Sequence, residues 1–419
     1  MPCGIGRNVA MSSCHCRPSL PDARIDRMTT VAAPPVTRRQ LVPFAALSAS
    51  YFAHIGFFNP YLPLWLKQLG LSLWLIGLLT SIQAVTRVFA PYVWGSISDR
   101  RGGRVPLLRW CAAMALLCSL GLVLQPSPWW LGAVLLGMFL HTSAMMPMSE
   151  AAMAHLVSQT GTLDVRRYGR VRLWGSVGFL VTVFLSGSWF ESQGLASFPY
   201  WAIGTLAMVN LSCWFLPQDR EVSAPSSGDP HFWQVFRQKK SRWFFITLFF
   251  HVLSHISVYT FFSLYLDALG YGKDMIGALW AVSVLVEILG FYTQSRWLHL
   301  LRLPTWLCVC SGVMFVRMGL TAWFAPTLWV LLVAQCMHVF TFSVQHTVSI
   351  AWLSQQFPGR LRGRGQALYA VIGYGLTGVT GAMAGAAIST HWGLQHVFLV
   401  AMPVSALALG SALRLRQVS

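Results

Sequence analysis

Acidic side chains are scarce. Of 419 residues only 12 are Asp or Glu, against 30 Lys and Arg, and charged residues make up 10% of the chain. A soluble domain carries about 25%, so this deficit excludes one. The 55% apolar content and mean hydropathy of +0.56 point instead to a membrane protein. The nine cysteines form no framework. Cys14-His15-Cys16 looks like half a metal site but stands in a polar, Pro-rich stretch with no second ligand pair. Cys111, Cys118, Cys213, Cys308, Cys310 and Cys336 fall in apolar runs and read as small packing residues. No metal is expected. Residues 1–40 lack the apolar core of a signal peptide, and either Met1 or Met28 can be the start of translation. No phosphate-binding loop, dinucleotide fingerprint or nucleophile elbow stands in a usable context, so neither a cofactor nor an enzyme is expected.

What the chain has is apolar length. Twelve runs can cross ~30 Å of hydrocarbon at 1.5 Å per residue. They lie at 41–66, 72–95, 106–124, 129–154, 171–190, 198–216, 243–266, 274–294, 304–324, 327–351, 365–388 and 395–413. The intervening segments alternate in charge. Of the 30 Lys and Arg, 25 fall on one side, and only Lys67 and Lys273 on the other. Positive charge marks the cytoplasmic face, so both termini are expected in the cytoplasm, in a plasma membrane read as the bacterial inner membrane. The net charge of +18 is then topological, and no nucleic-acid partner is expected.

Five charges are assigned to the membrane interior: Arg87, Glu150, Arg172, Glu287 and Arg317. A lone ionised side chain in hydrocarbon costs several kcal/mol, roughly 3 on insertion scales, so such residues pair, face a cavity and usually serve transport. Glu150 and Arg172, on consecutive runs, are expected to pair and to hold a polar solute, with Ser176 on the face of Arg172. A structural salt bridge is the alternative. Glu287 and Arg317 form a second expected pair. Arg87 has no obvious partner, and three arginines against two glutamates favour an anionic solute. His54 and His338 lie on helices that should line the cavity and can titrate near neutral pH. His251 and His255, one turn apart, lack the further ligands of a metal site. Asn59, Pro60 and Pro63 are expected to interrupt the first helix.

An internal repeat sets the architecture. Leu64-Trp-Leu-Lys-Gln-Leu-Gly70 recurs as Leu264-Tyr-Leu-Asp-Ala-Leu-Gly270, offset by 200, and Ile76-Gly77 recurs as Ile276-Gly277. The expected fold is an all-α membrane protein of 12 transmembrane helices in two pseudo-symmetric six-helix halves. The expected divisions are a disordered tail 1–40, a bundle 41–216, a polar linker 217–242, a bundle 243–413 and a tail 414–419.

Gly95 through Arg104 resembles the G-x-x-x-D-R-x-G-R-R signature of the major facilitator superfamily. Gly95, Asp99, Arg100, Gly102 and Arg104 match, and Gly103 stands where a basic residue is usual. The resemblance implies that fold and a gating role for Gly95, Asp99, Arg100 and Arg104. Pro147–Ala151, Arg170–Gly178, Glu287, Val316-Arg317 and Gln335–His338 are similar to the lactose permease branch. There Glu150 and Arg172 would bind substrate, and Phe179 would take the place of a stacking tryptophan. One departure is marked: where that branch carries a proton-releasing glutamate, this chain has Thr341. Tyr168–Ser176 (YGRVRLWGS) and the His338–Phe342 pattern resemble the 3-phenylpropionic acid transporter group more closely.

The expectation is a monomeric proton-coupled symporter of a small organic solute, an aromatic carboxylate first. Arg87, His54, Glu150, Arg172, Ser176 and Phe179 would bind it; Glu287, Arg317 and His338 would couple it to protons. A sugar or nucleoside symporter is the alternative, and a non-transporting membrane sensor a remoter one. Lipid, solute and protons are the expected partners.

Overall fold

The computed structural model of the chain describes residues 38–101, 103–124, 127–157, 165–217, 231–357 and 361–419. Twelve long helices follow one another: α1 (Arg38–Gln68), α2 (Leu73–Arg101), α3 (Arg104–Leu120), α4 (Pro128–Val157), α5 (Val165–Gln193) and α6 (Phe198–Trp214). Then come α7 (Lys239–Ala268), α8 (Lys273–Thr293), α9 (Leu303–Phe324), α10 (Leu328–Gln356), α11 (Gly363–Trp392) and α12 (Leu394–Val418). Among the described residues, eleven are long and apolar enough to span a membrane. The other, α6, has 17 residues and sits at the lower end of the ~17–25 that a crossing needs. This is the expected twelve-helix membrane fold.

The boundaries differ from the apolar runs in a consistent way. On the basic side α2 runs on to Arg101 and α5 begins at Val165, because polar residues continue a helix once the apolar stretch has nucleated it. The last helix likewise reaches Val418, where a tail from 414 was expected. Residues 231–237 of the expected linker form a short helix, His231–Arg237, separated from α7 by the extended Gln238; residues 218–230 lie outside the described ones.

Pro60 and Pro63 do not interrupt α1, contrary to expectation. Each proline removes one helical hydrogen bond, but Tyr61, Leu62, Leu64, Trp65 and Leu66 around them are buried. Packing against α5 and α6 holds the backbone helical where free peptide would kink.

The repeat is written into hydrogen bonds. Gly70 (φ 79°) and Gly270 (φ 87°) end α1 and α7 in the left-handed conformation that favours glycine. Leu71 N–H donates to Leu66 O at 3.2 Å, and Tyr271 N–H to Leu266 O at 3.0 Å, so both ends are Schellman caps.

Three apolar cores divide the bundle unequally. One runs from Phe44 to Leu216 and belongs to α1–α6 and their ends; another runs from Phe244 to Leu415 and belongs to α7–α12. A third mixes residues of both sets, among them Phe57, Tyr61, Val183, Phe261, Ile276 and Phe398. The two sets of helices are therefore fused at the end carrying the α1–α2 and α7–α8 turns and hold separate cores at the end carrying the termini. At the fused end Gly187 and Gly277 bring α5 and α8 backbone to backbone: a Cβ on Gly277 would stand 2.7 Å from Val183 O. At the other end no described residue lies within 4 Å of a Cβ built on Gly95.

Candidate functional site

Glu150 and Arg172 meet. Arg172 Nη1 lies 3.1 Å from Glu150 Oε1, and the guanidinium also sits over the Phe52 ring, 5.3 Å from its centroid. The side chains are 49% and 34% exposed. A pair this open contributes only about 0–1 kcal/mol to stability, so holding α4 to α5 is a minor part of what it can do. Arg172 is also within electrostatic reach of His346 on α10, so the pair faces the other set of helices. Ser176 and Phe179 are half-buried farther along α5. The Phe179 side chain packs against the fused core, and its backbone lies against Gly56 of α1.

Arg87 of α2 is half-buried and has no hydrogen-bond or ion-pair partner among the described residues. It lines a cavity with room for about one water molecule, together with Tyr51, His54, Asn59, Gln83 and Ser143. The next residue, Val88, packs on Gly375 of α11, so Arg87 lies near the seam of the two sets of helices, and its field reaches Tyr51 on α1, Tyr259 on α7 and Tyr374 on α11. His54 lies behind it. Its Nδ1 donates to Thr205 Oγ1 of α6 at 2.9 Å, since the Thr205 hydroxyl is itself donating to Trp201 O. His54 thus ties α1 to α6 and reaches only the small cavity, a more structural place than the sequence suggested.

On the opposite wall Arg317 is wholly buried. Its Nη1 donates to Thr341 Oγ1 at 2.8 Å and to His338 Nδ1 at 3.1 Å; its Nη2 donates to Gln335 Oε1 at 3.1 Å. Ser283 Oγ also donates to Gln335 Oε1, at 2.6 Å. His338 Nε2 stands 3.5 Å from Glu287 Oε2. The expected direct pairing of Glu287 with Arg317 is therefore corrected: the imidazole of His338 stands between them. Guanidinium can only donate, so Nδ1 accepts and the ring proton of His338 is on Nε2, directed at Glu287.

Thr341, where a carboxylate was missed in the sequence, is the centre of this wall. Its hydroxyl accepts from Arg317, and its carbonyl accepts from His251 Nε2 at 2.9 Å and His255 Nδ1 at 3.2 Å. That carbonyl belongs to a π-helical turn, Val339–Val344, a widening common at functional sites. A second π turn, Val371–Leu376, interrupts α11. His255 Nε2 and Arg317 Nε are buried without partners among the described residues. Among those residues no three His, Cys, Asp or Glu side chains cluster as metal ligands. Ser283 escaped the sequence reading, though it precedes Glu287 by four residues and so shares its helix face.

Of the expected gating residues, Arg100 is exposed and Arg104 opens α3. The side chain of Asp99 lies outside the described residues.

Two sets of six helices, with unpaired and networked charges facing each other between them, are the anatomy of a solute carrier. The model of the MFS_1 like family matches residues 46–400. The chain belongs to that family. A relative from Escherichia coli described as "Probable 3-phenylpropionic acid transporter" is 27% identical over 336 residues, 78% of this chain and 85% of that protein. The transporter YwbF of Bacillus subtilis is 23% identical over 363 residues, 85% and 89% of the two chains. The crystal structure of the nucleoside transporter NupG superposes with a TM-score of 0.77 at 15% identity, covering 90% of this chain and 98% of that one. This member of the MFS_1-like family is a multi-pass membrane transporter, and the major facilitator fold read from Gly95–Arg104 is the fold it has.

Proposed function

We propose that this transporter is a proton-coupled symporter of a small aromatic carboxylate, working by alternating access in the bacterial inner membrane with both termini in the cytoplasm. The observation that carries the substrate class is Arg87. A guanidinium between the two halves, half-buried and without an acidic partner among the described residues, is incomplete until an anion arrives. The likeness to the Escherichia coli protein described as a 3-phenylpropionic acid transporter supports an aromatic acid as that anion. Glu150, paired with Arg172, acts with Arg87 on the same Tyr51 hydroxyl, with Ser176 and Phe179 farther along α5.

Coupling falls to Glu287, His338 and Arg317. With Nδ1 held by Arg317, His338 carries its single proton on Nε2, and an incoming proton is accommodated on Glu287 rather than on the imidazole. Protonated Glu287 relieves a negative charge facing the cavity and favours loading of an anion; its deprotonation inside disfavours retention. The moving bodies are residues 41–216 and 243–413, joined by 217–242, with 1–40 and 414–419 as tails; the working unit is the monomer. Gly95, Asp99, Arg100 and Arg104 close the cytoplasmic end in the opposite state.

The test is equilibrium binding of 3-phenylpropionate to the purified transporter and to Arg87→Lys and Arg87→Gln. A carboxylate takes a bidentate grip from guanidinium that ammonium lacks, so both variants should lose about tenfold or more. Unaltered binding in Arg87→Gln would remove Arg87 from the site. A second reading, a neutral sugar or nucleoside, is favoured by the half-open Glu150–Arg172 pair, which can accept from and donate to hydroxyls.

A further inference from the structure

Next to Arg87 on α2, Val88 packs on Gly375 of α11, and there the other set of helices carries an aromatic wall. On α7, Tyr259 stacks on His255 one turn earlier (centroids 4.6 Å, planes 19°) and on Trp280 of α8 (6.3 Å, 10°). On α10, His338, Phe342 and His346 stack in series at 5.3 and 6.1 Å, with planes 5° and 13° apart. The two columns meet edge to face, His255 against both His338 (5.3 Å, 76°) and Phe342 (6.2 Å, 73°). Beyond them His346 bonds Tyr369, whose hydroxyl is 3.5 Å from that of Tyr374.

The inner members of this array, Trp280, His255, His338 and Tyr369, are buried. Tyr259, Phe342 and Tyr374 are only half-buried and form its open surface. Arg87 reaches both tyrosines from the other half, and so does Glu287 from α8. The Tyr259 hydroxyl makes no hydrogen bond among the described residues, whereas a tyrosine packed inside a bundle normally finds a partner for it. Packing alone thus leaves the open faces and this hydroxyl without a role.

We propose that Tyr259, Phe342 and Tyr374 are the subsite that takes the aromatic ring of the carried solute, with its carboxylate directed to Arg87. This rests on the carboxylate reading above and names the residues that select among acids. Flat π faces favour a flat ring in offset or edge contact, by about two- to tenfold beyond its apolar area. A saturated ring of the same size buries at least as much apolar surface but has no π face.

The experiment compares binding of 3-phenylpropionate and 3-cyclohexylpropionate to the purified transporter. Wild type should prefer the phenyl acid by about two- to tenfold; Phe342→Leu and Tyr259→Leu should bring the two acids to parity, and Phe342→Tyr should keep the preference. Equal binding of both acids to wild type overturns the subsite and leaves the carboxylate reading standing. So does a leucine variant that binds with the preference intact. Binding of neither acid to wild type overturns both. The wild-type comparison decides even where a leucine variant fails to fold.

Discussion

Lys67 and Asp267 occupy equivalent positions in the two repeats and bond each other, Nζ to Oδ2 at 2.8 Å. Repeat symmetry has placed opposite charges on the two copies of one helix end, so the copies latch where the halves fuse. Lys273 Nζ adds to the same carboxylate at 3.5 Å, and its N–H donates to Glu191 Oε2 at 2.6 Å. Tyr61 of α1 donates to the Lys273 carbonyl at 2.9 Å. Four helices are thus tied at one end while the other end holds separate cores.

Removing Asp267 should loosen that end. In Asp267→Asn both ammonium groups lose their carboxylate, whereas in Lys67→Met only the Lys67 contact goes and Lys273 keeps its partner. Exposed pairs are worth about 0–1 kcal/mol each, so the closed population should fall roughly two- to fivefold, more in Asp267→Asn. Spin labels at the exposed Leu69 and Leu269 report the opening as longer distances between α1 and α7. Distances unchanged in both variants would mean that apolar packing alone holds the closure.

Much of this arrangement was legible beforehand, and the part that was not has a common cause. Run length and charge alternation gave the helices and the Gly70 and Gly270 repeat gave the symmetry, because both are local properties of the chain. The Glu150–Arg172 contact was readable because consecutive antiparallel helices bring such residues together. Glu287 and Arg317 were misread as a pair because a sequence shows which charges must be compensated but not what stands between them. His338 could be placed there only by knowing how α8, α9 and α10 pack. The π turn that presents the Thr341 carbonyl to two histidines is likewise a tertiary product. The aromatic wall was hidden for another reason: in a chain with 13% aromatics, rings at helical spacing are ordinary packing until their neighbours are known.

Arg317 should be essential to folding as well as to coupling. It is wholly buried and satisfies Thr341, His338 and Gln335 at once. Hydrogen bonds from a charged donor contribute about 1.5–3 kcal/mol each, so Arg317→Met should lower the melting temperature in detergent by many degrees. Lysine cannot reproduce the planar fork, and Arg317→Lys should recover only part of the loss. A melting temperature equal to wild type in Arg317→Met would show that the network is filled by water at little cost.

Coupling can be separated from transport. If Glu287 takes the proton, Glu287→Gln should exchange internal for external solute at a near-normal rate yet fail to accumulate it against a gradient. A protonophore should give wild type the same phenotype. Accumulation by Glu287→Gln equal to wild type would move the proton site elsewhere.

Asp99 should act at the opposite end. Asp99→Ala should shift crosslinking between cysteines on the two halves toward forms open at the terminus-bearing end, with substrate affinity changed less than twofold. A loss of affinity with unchanged crosslinking would place Asp99 in a different role.

Glu150 decides between the two solute classes. Its carboxylate is one third exposed and lies 3.1 Å from Arg172, so a ligand that reaches the pair meets both charges. A sugar would use both, donating hydroxyls to Glu150 and accepting from Arg172; Glu150→Gln would then abolish galactoside or nucleoside binding by removing a charged acceptor. An acid meets Glu150 as a repulsion that Arg172 only partly offsets. Neutralising it leaves Arg172 free to join Arg87 in holding the anion, so Glu150→Gln should bind 3-phenylpropionate as tightly as wild type or several-fold more tightly. Titrating both ligand classes into wild type and Glu150→Gln gives opposite signs for the two readings: a phenylpropionate affinity that collapses in Glu150→Gln would defeat the carboxylate reading even with Arg87 intact.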